Sequence, residues 1–375
     1  MNLISPTLFE KIQFRLGLPD ATLQHFRQAA AHIAGDSALY AQFQAQHEQI
    51  FGETYAYQIT EVDAGEATSC WAPLLLLCRL PVLEAQYQAL GIPDAVLTKT
   101  LSNFVFFMNN YFNAEGRIGF ATYMINWLRH HMRMELFQLG RLQFERLPSP
   151  ITAVVLQNAE GRTVALAPNG TLYRADGQIN GTCGVSEKSP FSAEFQETDV
   201  AFYGTVLAGS GPISHEKQVF SKKIWKKLLD SDTPVLGVHI PGVGGRLTPE
   251  ACDDSFAQAA AFFPKYFPSD CARAYTCVSW LLSTSVSRLL GPEANIARYA
   301  ARFCLVPNLS QVSDVENYIF GGKPPPRQDD APEHDELTLE NTPLPPPQNA
   351  LQQAAAEHLK KGGHFYVAGG YIPIG

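Results

Sequence analysis

A glycine-rich segment is the stretch of this sequence best suited to binding an anionic ligand. The β-like run Pro234–Ile240 precedes the turn Pro241–Arg246, and Thr248-Pro249-Glu250 then has the residue types of a helix start. Glycines let a backbone approach a diphosphate closely, and a helix N-terminus leaves N–H groups free to donate to it. The turn lacks the Gly-Lys-Ser/Thr of a P-loop, and Leu247 replaces the third glycine of a dinucleotide fingerprint. A phosphate-binding loop and a plain capped turn therefore both stay open.

Three side chains are candidates for acid–base chemistry. His239 lies just before the glycine-rich turn, where a neutral imidazole can accept a proton near pH 7; the alternative is a hydrogen-bonded structural histidine. Glu145 ends a predicted strand and is either a base or a partner in a structural ion pair. Tyr299, on a predicted helix, is either an acid or part of the core.

Other titratable residues give weaker signals. His130-His131, flanked by Arg129 and Arg133, indicates a solvated helix face, and no set of His, Cys, Asp and Glu has the spacing of metal ligands, so we expect no metal. Cys277 and Ser279 lie on a predicted strand without the Gly-x-Ser-x-Gly turn of a hydrolase nucleophile, which leaves a hydrolase as a third, weaker hypothesis. The seven cysteines include no CxxC pair, which favours a reduced, cytoplasmic protein.

Helices must supply the first part of the scaffold. Apolar spacing with capping and stop residues predicts an all-helical domain over 1–140. Its predicted helices cover Asp20–Ala34, Ser37–Phe51, Ala67–Leu80, Leu83–Leu90, a segment opening at Pro93-Asp94, and Gly119–Leu139.

The period changes after Gly140 to one typical of strands. Arg141–Leu147 alternates, and two short β-like runs flank the turn Asn158-Ala-Glu-Gly161. Further along we predict a basic helix over Ser221–Asp230, a strand over Tyr275–Leu282 and a helix over Glu293–Phe303. We place a second domain at 141–322, a Pro- and acid-rich linker at 323–347, and a C-terminal helix with a Gly-rich end at 348–375, packed on that second domain.

Composition limits the function classes. The chain has 375 residues and a net charge of −8, which argues against nucleic acid as a partner. No apolar run approaches the roughly 18 residues that span a bilayer, and the N-terminal residues lack the pattern of a signal peptide, so we expect no membrane partner.

Several motifs together resemble the bacterial GNAT-like acyltransferase-domain proteins, which pair a helical N-acyltransferase N-terminal domain with a GNAT-like C-terminal domain. The resemblance covers residues from about 10 to 320 and resumes near Leu351-Gln352. It is carried by Tyr87–Pro93, Phe137–Glu145, Val238–Gly242, Leu247–Cys252, Phe262-Phe263, Cys277–Leu282 and Asn295-Ile296.

The resemblance implies an α+β protein: an all-helical N-terminal domain, then a mixed, mostly antiparallel sheet with flanking helices. It implies that the loop residues Gly242, Val243, Gly244, Gly245 and Arg246 bind the diphosphate of acetyl-CoA or another acyl-CoA. His239-Ile-Pro-Gly-Val-Gly244 keeps the family spacing, with His in the place of Arg or Gln, while Pro241 lacks an N–H group.

The resemblance also implies a reaction. An acyl-CoA-dependent N-acyltransferase would act on a small amine or peptide by direct transfer, with His239 or Glu145 as the base and Tyr299 protonating the departing thiolate. The alternative is a non-catalytic GNAT-like binding or regulatory protein with a degenerate CoA loop.

Overall fold

The structure, a computed structural model, divides the chain into two compact units. It describes residues 3–4, 6–52, 59–207, 217–310, 315, 319–320 and 350–375. The first unit contains Met1–Arg146, Val238–Arg246 and Ala251–Ser269; the second contains Leu147–Gly237, Leu247–Glu250 and Asp270–Gly375. Both units are discontinuous in sequence, and the predicted domain boundaries stay a prediction. The predicted linker at 323–347 lies outside the described residues.

Helices form the N-terminal part of the first unit, as the apolar spacing predicts. Helix α4 is its centre, because every residue from Ser69 to Leu77 is buried, and Trp71 Nε1 donates to Gln46 Oε1 at 2.8 Å. The helices are α1 (Pro6–Leu16), α2 (Asp20–Gly35), α3 (Ser37–Phe51), α4 (Thr68–Leu77), α5 (Leu80–Leu90), α6 (Asp94–Glu115) and α7 (Ile125–Met132).

One described helical stretch, Gly65–Leu90, is long and apolar enough to cross a membrane by length and composition. Of its most apolar window, 72% is buried inside the protein, which is the behaviour of a core helix. The stretch is therefore weak evidence for a membrane span.

The predicted helix Gly119–Leu139 is wrong in its second half. Helix α7 ends at Met132, Met134 adopts a left-handed φ of 57°, and strand β1 (Leu136–Leu139) follows. Strand β1 pairs antiparallel with β2 (Leu142–Pro148), from Leu136↔Glu145 to Leu139↔Leu142. All four residues of β1 are buried, so the segment lacks the alternation by which a strand is recognised in sequence.

Aromatic rings fix the β1–β2 hairpin within the first unit. The ring of Phe137 lies 5.0 Å from that of Phe262 and 5.9 Å from that of Phe263, both on helix α8 (Pro249–Tyr266). Phe144 on β2 contacts Phe256 of the same helix at 5.7 Å. Burial of such large rings contributes roughly 2–3 kcal/mol each, which holds the polar residues of β2 in place.

Strands dominate the second unit. A core of buried aliphatic residues with Tyr173 and Tyr371 lies among them. In chain order they are β3 (Val154–Asn158), β4 (Thr163–Leu166), β5 (Leu172–Tyr173), β6 (Phe191–Ser192), β7 (Phe195–Glu197), β8 (Ala201–Thr205), β9 (Lys217–Ser221), β10 (Trp225–Leu229), β11 (Pro234–His239), β12 (Ala274–Ser279), β13 (Cys304–Pro307) and β14 (Ala368–Pro373). Helices α9 (Thr284–Leu290), α10 (Asn295–Ala300) and α11 (Ala350–Lys360) complete the unit.

The largest sheet is mixed and mostly antiparallel, which confirms the predicted α+β class. Its strand order is β1-β2-β11-β12-β14-β13. Strands β11 and β12 are parallel, with Leu236 opposite Tyr275 and Gly237 opposite Thr276. Strand β14 pairs antiparallel with both β12 and β13. Smaller sheets have the orders β10-β3-β4, β7-β8-β9 and β5-β6.

The predicted basic helix Ser221–Asp230 is wrong. The segment instead contains the end of β9 and strand β10, which pairs with β3 at Trp225↔Asn158 and Lys226↔Gln157. The lysine spacing is compatible with a helix, but pairing with β3 overrides that local pattern. The lysines flank a turn, where Lys222 and Lys227 lie 2.7 and 2.8 Å from the carboxylate of Glu197.

The Gly-rich C-terminal end forms a strand that the sequence pattern does not reveal. Strand β14 lies between β12 and β13, and a Cβ added to Gly370 would come within 2.8 Å of Phe303 Cβ. Glycine is needed there because the neighbouring side chain approaches the backbone closely. The helix predicted over Asn349–Lys361 is confirmed as α11.

Candidate active site

The structure brings two of the predicted acid–base residues into direct contact. His239, at the end of β11, lies with Nε2 2.8 Å from Oε2 of Glu145 in β2, although 94 positions separate them in the chain. The His239 side chain keeps 34% of its surface exposed, whereas Glu145 keeps 10%. A nearly buried carboxylate therefore supports a partly open imidazole.

The carboxylate defines which nitrogen of His239 carries the hydrogen. Because Glu145 accepts at Nε2, the neutral ring is the Nε2–H tautomer and its lone pair lies on Nδ1. Within the described part of the chain, Nδ1 has no hydrogen-bond partner. The ring is held by Trp127 of α7, whose centroid lies 4.8 Å away at 68°. His239 is thus oriented, backed by a carboxylate and able to accept a proton.

His130 belongs to the same cluster, which corrects the prediction of a solvated helix face. Its Nδ1 lies 3.2 Å from Glu145 Oε1 and 2.8 Å from Glu135 Oε2. Burial opposes ionisation of Glu135, but hydrogen bonds from His130 and Arg133 outweigh it and hold the Glu135 pKa below its usual range. Among the described residues, no group of three or more His, Cys, Asp or Glu is arranged to hold a metal ion.

His131 is buried directly beside this cluster, which also contradicts the predicted solvated face. Its Nε2 lies 3.1 Å from Asn103 Nδ2 and 3.4 Å from Gln143 Nε2, so it accepts from these amides as a neutral ring. Complete burial lowers the pKa of His131 to about 3, with repulsion from His130 adding to the effect. This imidazole stays neutral at physiological pH and forms part of the packed support for the site.

The predicted helix through Leu139 gives no indication that His130 and Glu135 are in contact. In such a helix, His130 and Glu135 would be five positions apart and would lie on different faces. In the structure the chain turns after Met132, and the Glu135 N–H donates to the His130 carbonyl at 3.1 Å. The turn brings the Glu135 side chain back to His130.

The glycine-rich loop has a defined conformation within the first unit. Gly244 and Gly245 have left-handed φ values of 96° and 85°, which other residues adopt only with strain. A Cβ on Gly242 would overlap the Phe106 ring of α6. The Arg141 guanidinium donates to the Pro241 carbonyl at 3.0 Å and to the Gly245 carbonyl at 2.8 Å.

This loop leaves its backbone donors available. The N–H groups of residues 242–246 donate no hydrogen bond to any residue that the structure describes. The loop is exposed except for buried Pro241 and half-buried Val243, and Arg246 adds an exposed cation. Backbone N–H groups without a protein partner, on a turn with left-handed glycines, are of the kind that bind phosphates.

Tyr299 lies in the interior of the second unit. Its side chain is 1% exposed, and its hydroxyl donates to Cys277 Sγ at 3.6 Å. Burial gives Tyr299 the packing role that the sequence leaves open, and its role as an acid stays a prediction. Burial also raises the pKa of Cys277 to about 12, so the thiol is protonated and is a poor nucleophile. Ser279 Oγ accepts from the Leu281 N–H at 3.2 Å.

Comparison with known proteins identifies both halves of the chain. A family described as the GNAT-like C-terminal domain matches residues 136–372, and the N-acyltransferase N-terminal domain matches residues 10–134. No curated protein sequence matches the chain.

Solved structures of acyltransferases share the fold. An acyltransferase mutant in complex with octanoyl-CoA is 20% identical, with a TM-score of 0.63, over 100% of this chain and 90% of that chain. An acyltransferase in complex with decanoyl-CoA and teicoplanin is 20% identical, with a TM-score of 0.60, over 98% and 87%. An acyltransferase in complex with decanoyl-CoA is 22% identical, with a TM-score of 0.59, over the same shares. From the family match, the chain belongs to the proteins with a GNAT-like C-terminal domain, here preceded by an N-acyltransferase N-terminal domain.

Proposed function

We propose that this protein is an acyl-CoA-dependent N-acyltransferase that transfers an acyl group directly to a small amine or peptide. The observation that carries the proposal is the His239–Glu145 pair, which lies two residues before a glycine loop with free backbone donors. A base and an anion-binding loop on one strand–loop segment suit a reaction between an amine and a phosphorylated thioester carrier.

The loop residues are suited to the diphosphate of the carrier. In this proposal the N–H groups of Gly242 to Arg246 donate to phosphate oxygens, and Arg246 adds a charge-assisted contact. The glycines let the diphosphate approach the backbone, and Arg141 holds the loop carbonyls turned away. Pro241 supplies no N–H, so the cradle begins at Gly242.

The chemistry needs one base and one leaving group. His239 accepts the amine proton at Nδ1, while Glu145 stabilises the imidazolium through Nε2–H. The amine nitrogen then attacks the thioester carbonyl, the carbon–sulfur bond breaks, and the thiolate takes a proton. Backbone N–H groups polarise the carbonyl oxygen. Tyr299 stays the predicted donor of the proton that the thiolate takes.

The similar structures support the donor and acceptor classes. Those acyltransferases hold octanoyl-CoA or decanoyl-CoA, and one also holds teicoplanin. We therefore propose a donor with an acyl chain of medium length rather than acetyl-CoA, and an amine on a peptide-like acceptor. The sequence contains no CxxC pair, and we propose a cytoplasmic location, which cell fractionation tests.

Binding and turnover test the proposal separately. Thermal unfolding is measured with CoA, acetyl-CoA, octanoyl-CoA and decanoyl-CoA, because a ligand bound only by the folded protein raises its stability. Thiol release is then followed with a panel of amines and peptides. We expect a rise in Tm with acyl-CoA and acceptor-dependent thiol release. No rise at millimolar acyl-CoA together with no turnover would instead support a non-catalytic binding protein with a degenerate loop.

A further inference from the structure

Close contacts between imidazoles and carboxylates continue behind His239. Glu145 uses both carboxylate oxygens: Oε2 lies 2.8 Å from His239 Nε2, and Oε1 lies 3.2 Å from His130 Nδ1. The same His130 nitrogen lies 2.8 Å from Glu135 Oε2. Imidazole and carboxylate therefore alternate over four side chains, His239, Glu145, His130 and Glu135.

The far end of this series of side chains is anchored to the helical scaffold. Glu135 Oε1 accepts from Arg133 Nε at 2.8 Å, and Arg133 Nη1 donates to the carbonyl of Ile50 at 2.7 Å. Ile50 is buried in α3. The position of Glu135 is thereby set by a rigid helix, and Glu135 in turn sets the position of the His130 ring.

The proton on His130 is determined by its neighbours. Both groups near Nδ1 are carboxylate oxygens, which only accept, so Nδ1 carries a hydrogen. That single N–H lies between the carboxylates of Glu135 and Glu145 and relieves their mutual repulsion. Without it, Glu145 would lose its second donor and would be free to turn away from His239.

We propose that His130 is a positioning residue whose Nδ1–H, fixed by Glu135 and Arg133, holds the Glu145 carboxylate in place behind His239. The inference rests on the proposed function, in which His239 accepts the amine proton. Outer-shell groups of this kind commonly affect activity by about 10–100-fold. His130 does not touch the reacting atoms and acts only through Glu145.

Other charged groups around the cluster do not replace this donor. His131, on the same helix, is neutral because it is buried. Gln143 on β2 has its amide nitrogen directed to His131 and Gln138. Arg79 is close enough to Arg133 to be repelled by it, and Arg133 is committed to Glu135 and to α3. Within the described part of the chain, Glu145 Oε1 pairs with His130 and with no other side chain.

Two substitutions at one position test the donor itself. His130→Leu removes the N–H, whereas His130→Asn places an amide nitrogen near the Nδ1 position with hydrogens for both carboxylates. We measure kcat, the KM for decanoyl-CoA, and the ring tautomer of His239 by nitrogen NMR of protein labelled in its histidine rings, with His239→Gln assigning the signal.

For His130→Leu we expect kcat to fall at least about 10-fold, with an unchanged KM. The Nε2–H tautomer of His239 should lose population, because a displaced Glu145 no longer accepts from Nε2. His130→Asn should restore both quantities most of the way to wild type. A wild-type tautomer population and kcat in His130→Leu would overturn the inference, as would a His130→Asn variant as impaired as His130→Leu.

The design separates this inference from the proposed function. If the wild-type protein transfers no acyl group, the proposed function fails, yet the NMR spectra still decide whether His130 fixes Glu145 against His239. If circular dichroism shows that His130→Leu is unfolded, Glu135→Gln keeps the side-chain volume and leaves a single oxygen for Arg133 and His130. That variant should reduce the Nε2–H tautomer of His239 by a smaller amount, and an unchanged tautomer population there would reject the inference.

Discussion

Two hydrogen-bonded side-chain pairs contain residues that the sequence marks as candidates for chemistry, but the structure places the two pairs in different environments. The His239–Glu145 pair of the first unit joins a partly exposed imidazole to a carboxylate at 2.8 Å. The Tyr299–Cys277 pair of the second unit joins a hydroxyl to a thiol at 3.6 Å, with both side chains almost fully buried. Both pairs include a residue on a strand of the same sheet that the sequence marks as a candidate for chemistry.

The difference teaches that burial and partners decide which candidate can react. The Glu145 carboxylate orients the His239 ring without closing it off from solvent, so His239 can exchange a proton with a ligand. Burial without a charged partner raises the pKa of the Cys277 thiol to about 12, which suppresses its reactivity. The alternation of residues along a strand reveals neither how deeply a side chain is buried nor which side chain it contacts.

The largest effect that tests the comparison is the loss of His239. His239→Ala removes the proposed base, and kcat should fall by roughly 10²–10⁴-fold while the KM for decanoyl-CoA changes little. Steady-state thiol release with the best acceptor from the panel measures both quantities.

Cys277→Ala is the matched control from the buried pair. It should keep kcat near wild type and lower Tm only modestly, because a small buried group is lost. If Cys277→Ala abolished turnover while His239→Ala did not, the assignment of the open and the buried pair would be reversed, and the hydrolase hypothesis would return.

The buried imidazole of His131 in the first unit extends the comparison of open and buried side chains to protein stability. His131 has its pKa lowered to about 3, whereas in the unfolded chain it titrates near 6.5. Between these values the unfolded state binds more protons, so the free energy of unfolding falls as pH decreases below about 6.5. From the size of the His131 pKa shift, this residue makes the free energy of unfolding about 2 kcal/mol lower at pH 5 than at pH 7.5.

Urea unfolding at pH 7.5 and pH 5 measures this contribution. His131→Gln keeps an acceptor for the Asn103 amide but cannot titrate, so it should lose about 2 kcal/mol less than wild type between the two pH values. His32→Gln, at an exposed position of α2, is the control. Equal pH dependence in wild type and His131→Gln would show that burial does not keep this ring neutral.

The loop provides a test at the level of ligand binding. Gly244→Val forces a β-branched residue into a left-handed conformation and places bulk where the diphosphate would approach, so the Kd for CoA should rise about tenfold or more, roughly 1.4 kcal/mol or more. Gly161→Val is matched, because Gly161 has a φ of 80° in the β3–β4 turn and nothing within 4 Å. Calorimetric titration compares them, and an equal Kd in both variants would contradict the loop assignment.

Much of the fold follows from local patterns. Helix α2 begins at Asp20 as predicted, although Pro19 and not Asp20 occupies the N-cap position, and the β3–β4 hairpin flanks the turn ending at Gly161 as predicted. Strand β1 pairs with the adjacent β2, but all four of its residues are buried and give no alternation. Strands β10 and β14 could not be predicted, because each depends on a partner distant in sequence. Pairing with that partner outweighs the local helix or loop preference.

The candidate site was only partly predictable for the same reason. His239 and Glu145 stand out by residue type and place, but their contact spans 94 positions and depends on the order of β2 and β11. The sequence assigns His130 to a solvated face and does not single out Glu135, because the left-handed turn at Met134 interrupts a pattern that is typical of one helix. A non-glycine residue with positive φ has no strong signature in a single sequence.

The smallest expected effect concerns Tyr299. Tyr299→Phe removes only the hydroxyl, whose hydrogen bond to a neutral thiol contributes about 1 kcal/mol to stability. Because the side chain is 1% exposed, we expect kcat to stay within about threefold of wild type. The resemblance to acyltransferases instead predicts an acid, and loss of an acid would lower kcat about 100-fold or more. We measure kcat against pH for Tyr299→Phe and for His239→Ala to decide between these outcomes. Only the loss of a residue that exchanges a proton in the reaction removes one limb of the pH profile. A lost alkaline limb in Tyr299→Phe would mean that the buried pair opens during turnover, and the contrast between the two pairs would then describe the resting protein alone.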